Sequence, residues 1–208
     1  MNKSIVIFDM DGTLVDSEHC IAQAVCDVIQ TDQITPTEVL NKYRGMRFAH
    51  TLADIGQRLG LQFPSDMEQQ VRARENELSS TMITMNPGVS EVLKELQHHS
   101  CIASNAPEVK TRRSLNSCGL AHFFDDRVYS AYDVNAWKPD PALFLHAAAN
   151  EGYTPDQCFV VEDSDTGIAA GKAANMQVIF YNPYGRSTPH TDVMAITEFT
   201  ELLDIVHG

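Results

Sequence analysis

The chain has 208 residues, of which 43% are hydrophobic, and its formal net charge is -13. This length suffices for one sizeable core with a small additional domain. An acidic surface repels phosphate backbones, so the charge argues against nucleic-acid binding, and any anionic ligand would need a local positive site.

The cysteines and the apolar runs bear on the cellular compartment. The five cysteines are scattered without a CxxC pair, which favours a reducing compartment. The first residues lack the basic-then-apolar pattern of a signal segment, and no apolar run approaches about 18 residues. We therefore expect a cytoplasmic protein, a monomer or weak dimer, without membrane or nucleic-acid partners.

The predicted elements fall into two kinds along the chain. Ser4–Phe8 is a short β-branched run, whereas residues 17–85 show helical periodicity with almost no strand signal. From Asn86 onward strands and helices alternate. The strands are predicted in CIAS, RVYSA, CFVVED and QVIFY, and the helices in NPGVSEVLKELQHH, PEVKTRRSLNSCG, DPALFLHAAANEG, DTGIAAGKAAN and ITEFTELLDIV. Asn86 is predicted to cap the first of these helices, and NPYGRSTPHTD to be a mobile surface loop.

This alternation predicts an α/β fold with a parallel sheet covered on both faces. The first two strands lie about ninety residues apart, although a βαβ unit needs only about thirty. Because the surplus is helical, we predict a Rossmann-like core of residues 1–16 and 86–208 with a helical domain of residues 17–85 inserted. The two connections, near Val15–Ser17 and Thr84–Pro87, are the expected hinges.

Polar side chains follow the predicted strands, at the edge of the sheet where ligands bind in open parallel folds. These side chains are Asp9, Asp11, Ser104, Asn105, Lys138, Glu162 and Asp163. Crowded carboxylates repel one another unless a hard cation lies among them, and Mg²⁺ prefers oxygen ligands. Gly12 permits a sharp turn beside the aspartates, and Thr13 can offer its amide and hydroxyl to an anion. The sequence therefore predicts a Mg²⁺ site that binds an anionic substrate.

Four motifs in this order resemble the haloacid dehalogenase superfamily of aspartate-nucleophile phosphotransferases. They are DMDGTLVD at Asp9–Asp16, SNAP at Ser104–Pro107, KPDP at Lys138–Pro141 and VVEDSDTGIAAG at Val160–Gly171. The helical insert resembles the α-helical cap of the subgroup that includes phosphoglycolate phosphatases and β-phosphoglucomutases. The resemblance implies a Mg²⁺-dependent phosphatase with a Rossmann-like core.

The resemblance also implies residue roles. Asp9 would be the nucleophile that forms an aspartyl-phosphate, and Asp11 would protonate the leaving alcohol and then activate water. Lys138 would neutralise Asp9 and the phosphoryl group. Gly12, Thr13, Ser104 and the Asn105 amide would surround the phosphoryl oxygens. The metal ligands would be Asp9, the backbone carbonyl of Asp11, Asp163, and Glu162 directly or through water.

Basic residues in the insert and after the second motif bear on the substrate. The cap turn RGMR contributes Arg44, Gly45 and Arg47, close to Lys42, and Lys110 follows SNAP. Cations there suit a distal phosphate or carboxylate. This turn and the stretch Tyr129–Ala148 look like the 6-phosphogluconate phosphatase type. The expected partner is therefore a small phosphorylated sugar or sugar acid.

Three alternatives stay open at the level of sequence. One is a β-phosphoglucomutase-like phosphosugar mutase, although Ile21 and Phe48 stand where that branch has a histidine and an arginine. Another is a non-enzymatic, receiver-like phosphoacceptor module, which uses similar strand-end residues but has no helical insert. A dehalogenase is disfavoured because the DGT and EDS stretches are typical of phosphate chemistry.

Overall fold

A computed structural model describes residues 4–43 and 48–207 of the chain. Arg44, Gly45 and Arg47, the predicted substrate contacts of the cap turn, lie outside these residues. Within the two described ranges, no helix combines the length and the apolar character that crossing a membrane requires.

The strands are β1 Ile5–Phe8, β2 Val15–Asp16, β3 Thr84–Met85, β4 His99–Ser104, β5 Val128–Ser130, β6 Cys158–Glu162, β7 Gln177–Tyr181 and β8 Met194–Ile196. Six of them form a parallel sheet in the order β5-β4-β1-β6-β7-β8. β1 lies inside the sheet, where Ile7 is in register with Cys101 of β4 and Val160 of β6. The carboxyl ends of β1, β4 and β6 therefore meet at one edge.

The helices are α1 Glu18–Ile29, α2 Pro36–Tyr43, α3 Phe48–Leu59, α4 Met67–Met82, α5 Val89–Glu95, α6 Glu108–Ser117, α7 Ala121–Phe124, α8 Ala131–Val134, α9 Ala142–Glu151, α10 Asp165–Ala173 and α11 Glu201–His207. Ile5 and Ile7 share an apolar cluster with Leu143 and Phe144 of α9. The ring centroid of Phe8 lies 6.1 Å from that of Phe199, which precedes α11. Alternate residues of a strand point to opposite faces, so β1 is buried on both sides.

The chain divides into two compact units. The first consists of residues 1–16 and 84–208 and contains the six-stranded sheet. The second consists of residues 17–83 and holds α1–α4 around an apolar cluster of its own, which includes Val25, Ile55 and Val71. Within the first unit, β2 and β3 pair in antiparallel fashion, and Asp16 lies opposite Thr84.

The predicted α/β fold with a parallel sheet and a helical insert is confirmed. The sequence did not predict the β2–β3 pair, β8, α7 or α8, which span two to four residues each. Hydrophobic periodicity needs a longer window to appear, so elements of this length leave no periodic signal.

The predicted helix cap at Asn86 is wrong. Helix α5 begins at Val89, with Gly88 at the N-cap in a left-handed conformation (φ 80°). The buried side-chain amide of Asn86 instead donates to the backbone carbonyls of Gly12 (3.0 Å) and Thr13 (2.8 Å). The buried carbonyl of Thr13 needs a donor, and the Asn86 amide, by supplying one, ties the residues before α5 to the loop after β1.

Candidate active site

Asp9 is the first residue beyond β1 and is held by the sheet. Its backbone N–H donates to the carbonyl of Val161 in β6 at 2.9 Å, so the β1–β6 hydrogen bonding extends one residue past the strand. The Asp9 side chain is 11% exposed. A carboxylate on such a rigid strand end has a fixed position, which suits a group that must approach one atom of a substrate.

Lys138 lies between two buried carboxylates. Its ammonium donates to Asp9 Oδ1 at 2.5 Å, to Glu162 Oε1 at 2.8 Å and to the backbone carbonyl of Ala103 at 2.9 Å. Burial alone would lower the pKa of Lys138, but the charges of Asp9 and Glu162 raise it above its ordinary value. Lys138 is therefore a permanent cation that the two carboxylates share.

The pKa of Asp9 shifts in the direction that burial dictates. Burial raises it well above the ordinary value, Lys138 lowers it, and the charges of Glu162 and Asp163 raise it. An anionic Asp9 thus depends on nearby positive charge.

Glu162 is held by protein donors at both oxygens. Oε1 accepts from Lys138, and Oε2 accepts from the backbone N–H and the hydroxyl of Ser164, each at 2.8 Å. The Ser164 hydroxyl in turn accepts from the N–H of Gly167 at 3.1 Å and caps α10. Glu162 therefore positions Lys138 and joins it to the start of a helix.

Asp163 lies against the loop after β1. The Thr13 hydroxyl donates to Asp163 Oδ1 at 3.1 Å. Gly12 has φ 92°, and a Cβ there would lie 2.3 Å from Asp163 Oδ2. Only glycine combines this left-handed backbone with so close an approach.

Asp11 has one oxygen with no hydrogen-bond partner within the described ranges. This atom, Oδ1, is buried. The other oxygen, Oδ2, lies 3.8 Å from Lys110 Nζ. A buried acceptor without a partner is costly, and a proton or a substrate hydroxyl would satisfy it. This arrangement suits the proton carrier that the sequence predicts.

Ser104 and Asn105 both belong to the turn after β4. The Ser104 hydroxyl accepts from the N–H of Ala106 at 3.1 Å. Asn105 Oδ1 accepts from the backbone N–H of Lys138 at 3.0 Å, so this side chain positions the lysine segment. The structure therefore places Ser104 at the same sheet edge as Asp9 and gives Asn105 a contact that the sequence did not predict.

Asp9, Glu162 and Asp163 could hold a metal ion. Each offers one carboxylate oxygen, and these three atoms lie within 4.8 Å of one another. Hard divalent cations such as Mg²⁺ need few protein oxygens because they retain several waters. The donor set thus fits the cation predicted from sequence.

Two of the basic residues considered from sequence, Lys110 and Lys42, pair with carboxylates among the described residues. Lys110 approaches Asp11, as described above. Lys42 is paired with Asp54 at 2.8 Å inside the helical unit.

Sequence reasoning missed Arg186 and the loop contact of Asn86. Arg186 follows β7, and its guanidinium donates to the backbone carbonyl of Asp163 and lies 3.4 Å from Asp163 Oδ2. An arginine in a stretch of turn residues carries no periodic signal, so nothing in the local sequence points to this contact.

Comparison with known proteins identifies the family. A model of the haloacid dehalogenase-like hydrolases matches residues 6–181. The chain belongs to this family. The 6-phosphogluconate phosphatase of Escherichia coli K12 is 30% identical over 96% of this chain and 93% of its own. The fructose-1-phosphate phosphatase of the same strain is 31% identical over 84% of this chain and 94% of its own.

Among solved structures, a haloacid dehalogenase-like protein of unknown function from Agrobacterium tumefaciens superposes with a TM-score of 0.84. It is 28% identical, over 99% of this chain and 98% of that one. The family resemblance inferred from the four motifs is thus confirmed. The chain is a haloacid dehalogenase-type phosphatase, a phosphoric monoester hydrolase, and this replaces the receiver-like alternative.

Proposed function

We propose that this phosphatase depends on Mg²⁺ and hydrolyses small sugar or sugar-acid phosphates, 6-phosphogluconate among them, through an aspartyl-phosphate. The observation that carries the proposal is the convergence of Asp9, Lys138 and Asp163 at one sheet edge. The names of two relatives, a 6-phosphogluconate phosphatase and a fructose-1-phosphate phosphatase, support the substrate class.

In the first step, an oxygen of Asp9 attacks phosphorus and the bond from phosphorus to the ester oxygen breaks. Asp11 gives its proton to the departing alkoxide, which leaves as an alcohol. Lys138, bonded to Asp9 in the resting protein, neutralises negative charge that builds up on the transferring group. The backbone that follows β1, including Gly12 and Thr13, encloses the phosphoryl oxygens together with Ser104 and Asn105.

In the second step, a water attacks phosphorus and the bond to Asp9 breaks. Asp11, now anionic, takes the proton from this water, so that inorganic phosphate leaves and the starting protonation states are restored. One side chain thus serves as acid and then as base. The buried Oδ1 of Asp11, which has no hydrogen-bond partner among the described residues, supports this assignment.

The bound cation would be held by Asp9, Asp163 and the backbone carbonyl of Asp11, with Glu162 beside it. When bound, Mg²⁺ neutralises phosphoryl charge and orients the phosphate for in-line attack. The donors of Lys138 and Ser164 to both Glu162 oxygens favour an indirect role for Glu162.

Substrate choice is assigned to Lys110 and to the residues predicted from the cap turn. Lys110 would reach an anionic or hydroxylated part of the substrate near Asp11, and Arg44, Gly45 and Arg47 would contact its distal end. A sugar acid phosphate presents a charge at each end, which suits cations at both places.

The experiment that tests the proposal is a phosphate-release screen over sugar phosphates and phospho-sugar acids, with and without Mg²⁺. Asp9→Asn should lower kcat by at least about 1,000-fold because it removes the nucleophile. The matched control is Asp156→Asn, an exposed aspartate just before the opposite end of β6, which should retain activity.

Two outcomes would overturn the proposal. Near-normal turnover by Asp9→Asn would remove the nucleophile assignment. A sugar-phosphate isomer as product, in place of free phosphate, would show a mutase.

A further inference from the structure

Each carboxylate of the site lies within 4 Å of a cationic side chain. Asp9 and Glu162 share Lys138, and Asp11 lies 3.8 Å from Lys110. The remaining pair joins Asp163 to Arg186, at 3.4 Å. With all these groups ionised, four carboxylates against three cations leave a net charge of one negative unit. The Asp163–Arg186 pair is the one that the mechanism above does not use.

Arg186 is held in place by its own loop and by α10. The Asn182 side chain accepts from the backbone N–H of Arg186 at 2.8 Å and donates to its carbonyl at 3.0 Å. Further along the loop, the Thr188 hydroxyl donates to Asp165 at the start of α10, at 2.7 Å. The loop predicted to be a mobile surface segment is therefore fastened on both sides of Arg186. The Arg186 side chain is 23% exposed.

Asp163 does not need Arg186 to fix its orientation. Thr13 donates to Oδ1, and Gly12 approaches so closely that a Cβ would lie 2.3 Å from Oδ2. These contacts already restrict the Asp163 side chain from the side of β1. What Arg186 adds is a positive charge, in a site where limited exposure to water weakens screening.

We propose that Arg186 sets the balance of affinities at this site, lowering that for the divalent cation and raising that for the phosphoester dianion. This inference rests on the proposed function. A positive charge beside a metal ligand has opposite effects on the two bound ions, because it repels the divalent cation and attracts the phosphate.

The test compares the wild type with Arg186→Gln and Arg186→Met, using Mn²⁺ and inorganic phosphate as probes. Mn²⁺ affinity is measured by electron paramagnetic resonance of the free ion. Phosphate affinity is measured by calorimetry at saturating Mn²⁺. Both neutral variants should bind Mn²⁺ about 10-fold more tightly and phosphate about 10-fold more weakly. A loosened site would instead weaken both affinities.

Two control variants separate charge from structure. Arg186→Lys keeps the charge and should stay close to the wild type in both affinities. Lys172→Gln removes a cation of α10 that pairs with Asp192, a residue of the loop that carries Arg186, and it should change neither affinity.

Weaker or unchanged Mn²⁺ binding in the neutral variants would overturn the inference. If the wild type binds Mn²⁺ and hydrolyses a phosphoester, but Arg186→Gln has the same two affinities, the inference is wrong and the proposed function stands. A wild type that neither binds Mn²⁺ nor hydrolyses any phosphoester would defeat the proposed function, and the inference with it.

Discussion

At the scale of single residues, Lys138 is a buried cation with three hydrogen-bond partners. It is 2% exposed and contacts two carboxylates and a backbone carbonyl. A buried ion pair stabilises a fold little more than apolar side chains of similar volume in its place would. Removing one partner, however, destabilises the fold because it leaves an uncompensated buried charge. Lys138 therefore links the stability of the fold to the chemistry of the site.

Lys138→Met should destabilise the protein by about 3–5 kcal/mol near neutral pH, measured by urea unfolding without added metal. The loss should be smaller at pH 5. Burial already raises the pKa of Asp9, and removing Lys138 raises it further. A carboxyl group whose pKa is higher in the folded state stabilises the fold when protonated, and this stability is lost as the pH rises through the folded pKa.

The control for this prediction is Lys172→Met, which removes a lysine from an exposed pair and should show the pH dependence of the wild type. A destabilisation by Lys138→Met that stayed constant from pH 5 to neutral would contradict the electrostatic explanation. It would indicate a loss of packing instead.

At the scale of elements, α10 is built to lie close to β6. Its glycines face different neighbours. A Cβ on Gly167 would lie 1.8 Å from the Glu162 carboxyl carbon, whereas a Cβ on Gly171 would lie 2.6 Å from Val178 Cγ2. One turn of the helix thus touches the polar site, and the next touches the apolar core.

These two glycines predict different outcomes for the same substitution. Gly167→Ala should displace Glu162 and with it Lys138, and should lower kcat about 100-fold. Gly171→Ala should cost about 1–3 kcal/mol of stability through overpacking, while the folded fraction keeps its kcat. Steady-state kinetics with parallel thermal unfolding separates the two. Equal kcat values for the two variants would show that Glu162 does not position Lys138.

The secondary-structure elements also show which parts of the fold could be predicted from the sequence. Strand β7 was predicted with its observed bounds, because four strand-forming residues follow Gln177 and the turn residues Asn182 and Pro183 end the run. The pairing of Asp16 with Thr84 could not be predicted, because it joins two short segments separated by the whole helical unit. Short-range patterns carry no information about such contacts.

At the scale of the whole molecule, the site also has contacts that the sequence predicts and contacts that it does not. Asp9 and Asp163 could be brought together from sequence because strand ends of a parallel sheet share an edge. Lys138 lies beyond α8, an element that the sequence did not predict. Arg186 and Asn86 could not be placed from sequence, since their contacts depend on the path of loops that no periodicity describes. Strand-end chemistry is therefore predictable, and the loops that tune it need a structure.

The division into units leads to a last prediction. Asp9, Asp11, Lys138 and Asp163 all belong to the unit of residues 1–16 and 84–208. Asp16 lies opposite Thr84, so a two-residue Asn-Gly turn has the geometry to replace residues 17–83.

The shortened protein should unfold cooperatively and bind Mn²⁺ with about the affinity of the full chain. It should hydrolyse p-nitrophenyl phosphate while losing selectivity among sugar phosphates, because the deleted segment contains Arg44 and Arg47, to which contacts with the distal end of the substrate are assigned. The control is the same deletion carrying Asp9→Asn, which should fold but release no phosphate. A folded deletion protein without Mn²⁺ affinity would show that the metal site needs the helical unit. Unchanged selectivity would remove the role of that unit in substrate choice.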